Sequence, residues 1–308
     1  MSAGRVLVLR ALGLGDLLTA VPALRALRAA FPSATITLAT PAAVAPLALL
    51  TGAVDRVADT GPLASLDPAL AGADVAVNLH GRGPQSTRIL AATRPRRLIA
   101  FGAGPAAPAW RSAEHEVRRW CRLLTESGIP ADPSDLDLAL PPVPSPAPGA
   151  VVLHPGAASE SRRWPVDRWA EVGRAVAATD RRVVVTGSTA EIELGAEVGL
   201  RAGLPPESLL AGRTGLLELA ALVARASTVV SGDTGVAHLA TAYRTPSVLL
   251  FGPTPPARWG PPADRPRHTV LWAGLAGDPH GNTPDAGLLQ ISVAEVLAAL
   301  RRGEANGR

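Results

Sequence analysis

Thr228-Val229-Val230-Ser231-Gly232-Asp233-Thr234-Gly235-Val236-Ala237-His238 is the stretch that decides the fold. An apolar, β-branched run ends in small residues, and a helix-compatible run starts at Thr234 or Gly235. Such a run marks a strand buried on both faces, as parallel sheets require. The small residues after it let a ligand approach the backbone. Free N–H groups at the helix start, the Thr234 hydroxyl and the helix dipole together suit a diphosphate. Asp233 would repel phosphate, so sugar hydroxyls are its natural partners. The competing reading makes Asp233 or Thr234 a mere N-cap. His238, one turn into the helix, is a phosphate donor or a core histidine.

Strands and helices alternate outward from this stretch. Before it come strand Val151 to His154, helix Pro165 to Ala178, strand Arg182 to Thr186 and helices Ala190 to Leu200 and Leu216 to Ala226. After it come helix Gly235 to Tyr243, strand Ser247 to Phe251 and a last helix near Val293 to Arg301, free to pack across either domain. The N-terminal half repeats the pattern: strand Arg5 to Leu9, a turn at Gly13-Leu14-Gly15, a helix from about Ala20 to Ala30, strand Thr35 to Ala39, helix near Ala42 to Leu50, a short strand near Arg56-Val57, strand Asp74 to Asn78, helix Ala113 to Ser127 and a short strand Leu136 to Leu140. Between the halves, Pro141 to Gly149 carries five prolines in nine residues, an extended connector outside both cores. The expected architecture is α/β: two Rossmann-like doubly wound domains, residues 1–140 and 150–308, facing across a cleft, with linker 141–149 between them.

Composition narrows the function. The 308 residues, 47% of them hydrophobic, fill two cores, and the single cysteine excludes an internal disulfide. Cys121 lies among helix-like residues, where a buried thiol is expected. The isoelectric point of 10.6 reflects a chain whose basic residues are all arginine, for the net charge is only +4 and aromatics are 3%. No basic face interleaved with stacking rings is visible, so nucleic acid is not an expected partner. The N-terminus runs straight into a strand without an export signal, and no apolar run approaches a membrane span. A soluble, cytoplasmic protein with at most peripheral membrane contact is expected.

The polar loops follow the predicted strands, where open α/β sheets bind ligands. His154 to Pro165 brings Ser159, Arg162 and Arg163 to the second domain's strand ends, and a guanidinium is a planar, bidentate phosphate donor. Trp164 before Pro165 packs the loop down. In the first domain, Gly13-Leu14-Gly15-Asp16 starts like a dinucleotide fingerprint, but Leu18 stands where a third glycine belongs and no ribose-binding acid ends the second strand. Asp16 is instead a general base for a hydroxyl or a helix cap. Asn78, His80 and Arg82, with Gly15, are acceptor-side candidates. Asp135-Leu136-Asp137 imitates a metal-binding D-x-D pattern on a strand far from these loops and reads as surface. The histidines lack ligand spacing, so neither a metal nor a cofactor is expected.

Taken together, G-x-G-D with Thr19 and Pro22, H-P-G-x-x-S with R-x-W-P, G-S-x-x-E (Gly187 to Glu191) and S-G-D-T-G-x-x-H followed by F-G-P-T (Phe251 to Thr254) resemble glycosyltransferase family 9, the ADP-heptose–lipopolysaccharide heptosyltransferases. The resemblance implies a GT-B fold and an inverting, metal-independent transfer from a nucleotide-diphosphate sugar, ADP-sugar favoured, to a glycan or glycolipid, at the inner face of the membrane. On it, Asp16 is the base and Arg162, where the family usually has lysine, stabilises the departing diphosphate. Glu191 looks toward the donor ribose, and Asp233, Thr234, Gly235 and His238 form the sugar- and diphosphate-binding turn. Gly277 to Asn282 lacks the paired cysteines of many relatives. Two other functions fit the same fold: a nucleotide-sugar epimerase and a non-catalytic sugar-nucleotide-binding protein.

Overall fold

The computed structural model describes residues 4–104 and 106–305. The chain divides into two compact units, Met1–Ala139 and Leu140–Arg308, each built on one parallel five-stranded sheet with helices between the strands. In the first unit the strands are β1 (Arg5–Leu9), β2 (Thr35–Thr40), β3 (Arg56–Asp59), β4 (Val75–Asn78) and β5 (Arg97–Ile99), ordered β3-β2-β1-β4-β5. In the second they are β6 (Val151–His154), β7 (Val183–Val185), β8 (Thr228–Gly232), β9 (Ser247–Phe251) and β10 (His268–Trp272), ordered β10-β9-β8-β6-β7. The α/β class expected from the alternation is the one observed.

Strand order explains where the functional loops gather. The chain reverses direction across the first sheet between β1 and β4, and across the second between β6 and β8. At such a switch point the loops leave on opposite sides and open a crevice at the carboxyl ends of the strands. Leu9 is in register with Asn78, and His154 with Ser231. Hence the Gly13–Asp16 loop stands level with the Asn78–Arg82 loop, and the His154–Arg162 loop with the Ser231–Gly235 turn.

Burial follows from sequence. Every residue of β6, β8 and β9 is buried, which is why these strands read as unbroken apolar runs. Trp164 does pack its loop down: it stacks edge-on against Trp169 at 5.4 Å, and its Nε1 donates to the Ile291 carbonyl at 3.0 Å. The last helix, Val293–Ala305, places Val296, Ala299 and Leu300 in the same core. Cys121 is buried, and burial pushes its thiol up to about 12.

Several expectations need correction. Leu136 to Leu140 joins no strand. Its alternation buries Leu136 against Val117 and Cys121, while the Arg25 guanidinium takes the Asp137 carbonyl and pairs with the Asp135 carboxylate, so the segment is fastened by a side chain instead of a sheet edge. The Gly-rich turn leads at once into a helix, Leu14–Thr19, ahead of Val21–Ala30, and Pro22 is accommodated in the second helix's first turn. Ala42 to Leu50 splits into a 3-10 turn and the short helix Ala45–Leu50. The proline-rich segment has no helix or strand, but its end is not outside the cores: Ala147 is fully buried, and Gly149 N–H donates to the Arg225 carbonyl at 2.8 Å.

Candidate active site

The turn after β8 is compact because its residues are small. A Cβ on Gly232 would come within 3.2 Å of the Arg162 carbonyl, so glycine lets the two loops touch. Thr234 occupies the N-cap position of helix Gly235–Ala242 in extended conformation, yet no side chain makes a capping bond. The Thr234 hydroxyl is buried with no partner among the described residues, so the capping explanation of this turn fails.

Arg162 ends a 3-10 turn, Glu160–Arg162, that follows Ser159. Its Nη1 donates to the Asp233 carbonyl at 3.2 Å, while its Nε is buried without a partner, as is the Ser161 hydroxyl. Ser159 is half-buried and makes no capping bond either. A buried donor left unsatisfied costs on the order of 1–3 kcal/mol. Three such groups beside an uncapped helix start favour an anion there.

Asp233 is 7% exposed. Burial lifts its carboxyl to about 6, against the opposing pull of Arg162 and a hydrogen bond with Thr254. Thr254 ends the F-G-P-T stretch, and the fold brings this loop after β9 to Asp233. His238 lies one turn along the helix, its ring edge-on to Trp259 at 5.9 Å. Glu191 joins a different neighbour. Its Oε2 accepts from the Ser188 N–H and hydroxyl at 2.7 and 2.8 Å, a capping box that closes the turn Thr189–Glu191. A Cβ on Gly156 would lie 2.1 Å from this carboxylate, so any larger residue there has to displace the Glu191 side chain. Burial lowers the ionisation of His154 while Glu191 acts to raise it, and His154 Nδ1 is 2.9 Å from the Thr186 hydroxyl.

In the first unit, Asp16 and Gly15 lie in the first turn of helix Leu14–Thr19, whose N-cap is Gly13, again without a side-chain cap. Asp16 is therefore no cap. Its carboxylate meets Arg10 Nη2 at 3.3 Å, and 27% of its side chain is exposed. His80 Nδ1 accepts from the Ala11 N–H at 3.2 Å; burial lowers its ionisation, Arg10 lowers it further and Asp16 opposes. Asn78 is wholly buried and occupied: its Nδ2 donates to the hydroxyls of Ser86 and Thr87 at 2.9 and 3.1 Å, and its Oδ1 accepts from the His80 N–H at 3.0 Å. It shapes the loop and has no group left for an acceptor. Arg82 is exposed and unpaired among the described residues. Arg10 and Glu116 went unrecognised as part of this cluster, because nothing marks a charged residue at a strand end as buried until its partners are in place.

Asp135 is committed to Arg25, and among the described residues no group of three or more His, Cys, Asp or Glu side chains lies close enough to hold a metal ion. No helix among them is long and apolar enough to cross a membrane.

The sequence profile of glycosyltransferase family 9 (heptosyltransferase) matches residues 107–279, more than half of the chain. That span contains the Ser159–His238 cluster and leaves out Asp16. Lipooligosaccharide heptosyltransferase 2 of Haemophilus influenzae is 33% identical over 110 residues, 34% of this chain and 31% of the relative. In the first three curated relatives the matched stretch spans 31 to 45% of their length. The fold matches that of Escherichia coli ADP-heptose lipopolysaccharide heptosyltransferase II with a TM-score of 0.80 at 22% identity, covering 98% of this chain and 99% of that one. For the E. coli heptosyltransferase WaaC with ADP the TM-score is 0.72 at 19% identity, covering 97 and 99%.

Proposed function

Because the chain belongs to glycosyltransferase family 9, we propose that it transfers a sugar, a heptose or a close analogue, from a nucleotide-diphosphate donor to a hydroxyl of a glycan or glycolipid. The observation that carries the reading is that the two loops touching at Gly232 carry three buried donors without a partner among the described residues, Thr234 Oγ1 at an uncapped helix start and Arg162 Nε and Ser161 Oγ in the facing turn. They match the charge and the oxygen-rich surface of a diphosphate. ADP is the favoured nucleotide because a solved heptosyltransferase of this fold is described with ADP. Residues 150–308 then hold the donor, residues 1–140 receive the acceptor, and 141–149 link them, with the protein working in the cytoplasm at the inner face of the membrane.

The chemistry is a single displacement that inverts the anomeric centre and uses no metal. Asp16 takes the acceptor proton, the acceptor oxygen bonds to the anomeric carbon, and the bond from that carbon to the diphosphate oxygen breaks. Arg162, the Thr234 hydroxyl and the N–H groups at Gly235 receive the developing negative charge. Donors fixed before the reaction stabilise such charge without reorganising. Asp233, oriented by Thr254, takes a donor-sugar hydroxyl.

A calorimetric and thermal-shift panel of ADP-, GDP-, UDP- and dTDP-sugars tests the reading. ADP-heptose is expected to bind and to raise the melting temperature. A chain that none of the four donors stabilises has no such function.

A further inference from the structure

Arg10 follows the last residue of β1 and is 1% exposed, yet it is fully engaged. Its Nε donates to the Asp16 carbonyl at 2.8 Å and its Nη1 to the Leu79 carbonyl. Its Nη2 faces three oxygens: Thr19 Oγ1 at 3.0 Å, Glu116 Oε1 at 3.2 Å and Asp16 Oδ1 at 3.3 Å. The guanidinium lies 4.8 Å from the Trp120 ring centroid. Glu116 is held as firmly. Its Oε1 also accepts from Trp120 Nε1 at 2.8 Å, and its Oε2 pairs with Arg119. Two guanidiniums and two carboxylates thus balance in a largely buried cluster, and both Arg10 and Asp16 act on the neighbouring His80. A guanidinium with Asp16 as its only anion would close on it bidentately. Here one nitrogen is divided between two carboxylates, and Asp16 keeps a long contact and a partly exposed side chain.

We propose that Arg10 and Glu116 are positioning residues for Asp16: Arg10 fixes its backbone and one carboxylate oxygen, and Glu116 draws off enough of the guanidinium to leave the other oxygen available to an acceptor hydroxyl. The proposal rests on the reading of Asp16 as the acceptor base. A base must keep its lone pair and its direction, and a displacement of about 1 Å can cost about a hundredfold in rate.

The test uses the full chain, ADP-heptose, a lipopolysaccharide-core oligosaccharide as acceptor, and the variants Asp16→Asn, Glu116→Gln and Arg10→Lys. Glu116→Gln keeps an acceptor for Trp120 and Arg10 but removes the charge. It is expected to lower kcat about tenfold to a hundredfold with the donor KM within about twofold of wild type. Arg10→Lys keeps the charge without the planar fork and is expected to fall at least as far. The readout independent of turnover is the titration of His80 by nitrogen-15 NMR, with His80→Gln for assignment. Removing the Glu116 charge leaves Arg10 less compensated, so His80 should ionise at still lower pH. A cluster merely loosened and wetted would move it up toward its ordinary value. Wild-type kcat in Glu116→Gln beside an inactive Asp16→Asn overturns the positioning role alone, as does an unmoved or raised His80 titration. Undiminished transfer by Asp16→Asn overturns the base reading and the proposal with it.

Discussion

Each sheet has a switch point beside its first strand, reached after three strands in the first unit and after two in the second, and the two points are finished in opposite ways. At β1/β4 the central polar groups are bonded within the unit: Arg10 is engaged through Nε, Nη1 and Nη2, and Asn78 through Nδ2 and Oδ1, with Arg119 Nε the exception in the neighbouring ion-pair cluster. At β6/β8 three buried donors have no partner. The difference fits the proposed transfer between two substrates. A diphosphate brings enough charge to repay groups left unsatisfied in the free protein, whereas a neutral hydroxyl cannot, so on the proposed reading the half that receives it needs its polar groups bonded in advance, with the Asp16 carboxylate left partly exposed.

Breaking the finished half should have the largest effect. Asp16→Ala is expected to lower transfer by about 10²–10⁴-fold, the usual worth of a general base, while calorimetry finds donor affinity close to wild type. Equal losses of transfer and donor affinity would place Asp16 in donor binding instead. Next in size is Arg162→Ala, which removes charge from the leaving group and should cost about 10²–10³-fold in kcat. Arg162→Lys should retain most activity, since lysine is the family's usual residue at that place; an inactive lysine variant would mean that the planar fork itself is required.

How legible was this contrast? The four inner and early strands of the second sheet, β6 to β9, could be read closely, because strands buried on both faces are rich in apolar residues and Gly232 and Gly235 punctuate the exit of β8. Two edge strands, Arg97–Ile99 and His268–Trp272, escaped notice, one for its length and the other for its mixture of polar and apolar residues. Leu136 to Leu140 shows the converse error, since alternation reports which side chains are buried and not what the backbone pairs with. For the site, residue type and loop position sufficed to choose Asp16, Arg162 and Asp233. They did not reveal that Asn78 is consumed internally or that Glu191 closes its own turn, because hydrogen-bond saturation depends on loops distant in sequence. The hydrogen bond between Thr254 and Asp233 and the part played by Glu116 were hidden for the same reason.

Asp233 sharpens the comparison through stability. Burial pushes its carboxyl up to about 6 in the folded chain, from an ordinary value of 3.8. Between those pH values the folded state holds a proton that the unfolded state has released, so stability falls as pH rises through the window, and the full cost is present above it. That cost is about 3 kcal/mol at neutral pH. Asp233→Asn should therefore gain up to about 3 kcal/mol at pH 7 and flatten stability between about pH 4 and 6 in urea titrations, while losing the donor sugar. A variant that is less stable at pH 7 would show that Asp233 is paid for within the fold and is not held ready for a ligand.

The smallest effect is the most discriminating. Thr234→Val exchanges a hydroxyl for a methyl of nearly the same shape at a helix N-cap. If the hydroxyl capped the helix, its loss would destabilise the protein by about 1 kcal/mol. Because it is buried and unpartnered, its removal should be neutral or stabilising by up to about 1 kcal/mol. The same change should weaken ADP-heptose binding about tenfold, since a hydrogen bond to a charged group is worth about 1.5–3 kcal/mol. Affinity must fall without any loss of stability. Should stability and affinity fall together, Thr234 is part of the scaffold, and the second switch point is finished in the same manner as the first.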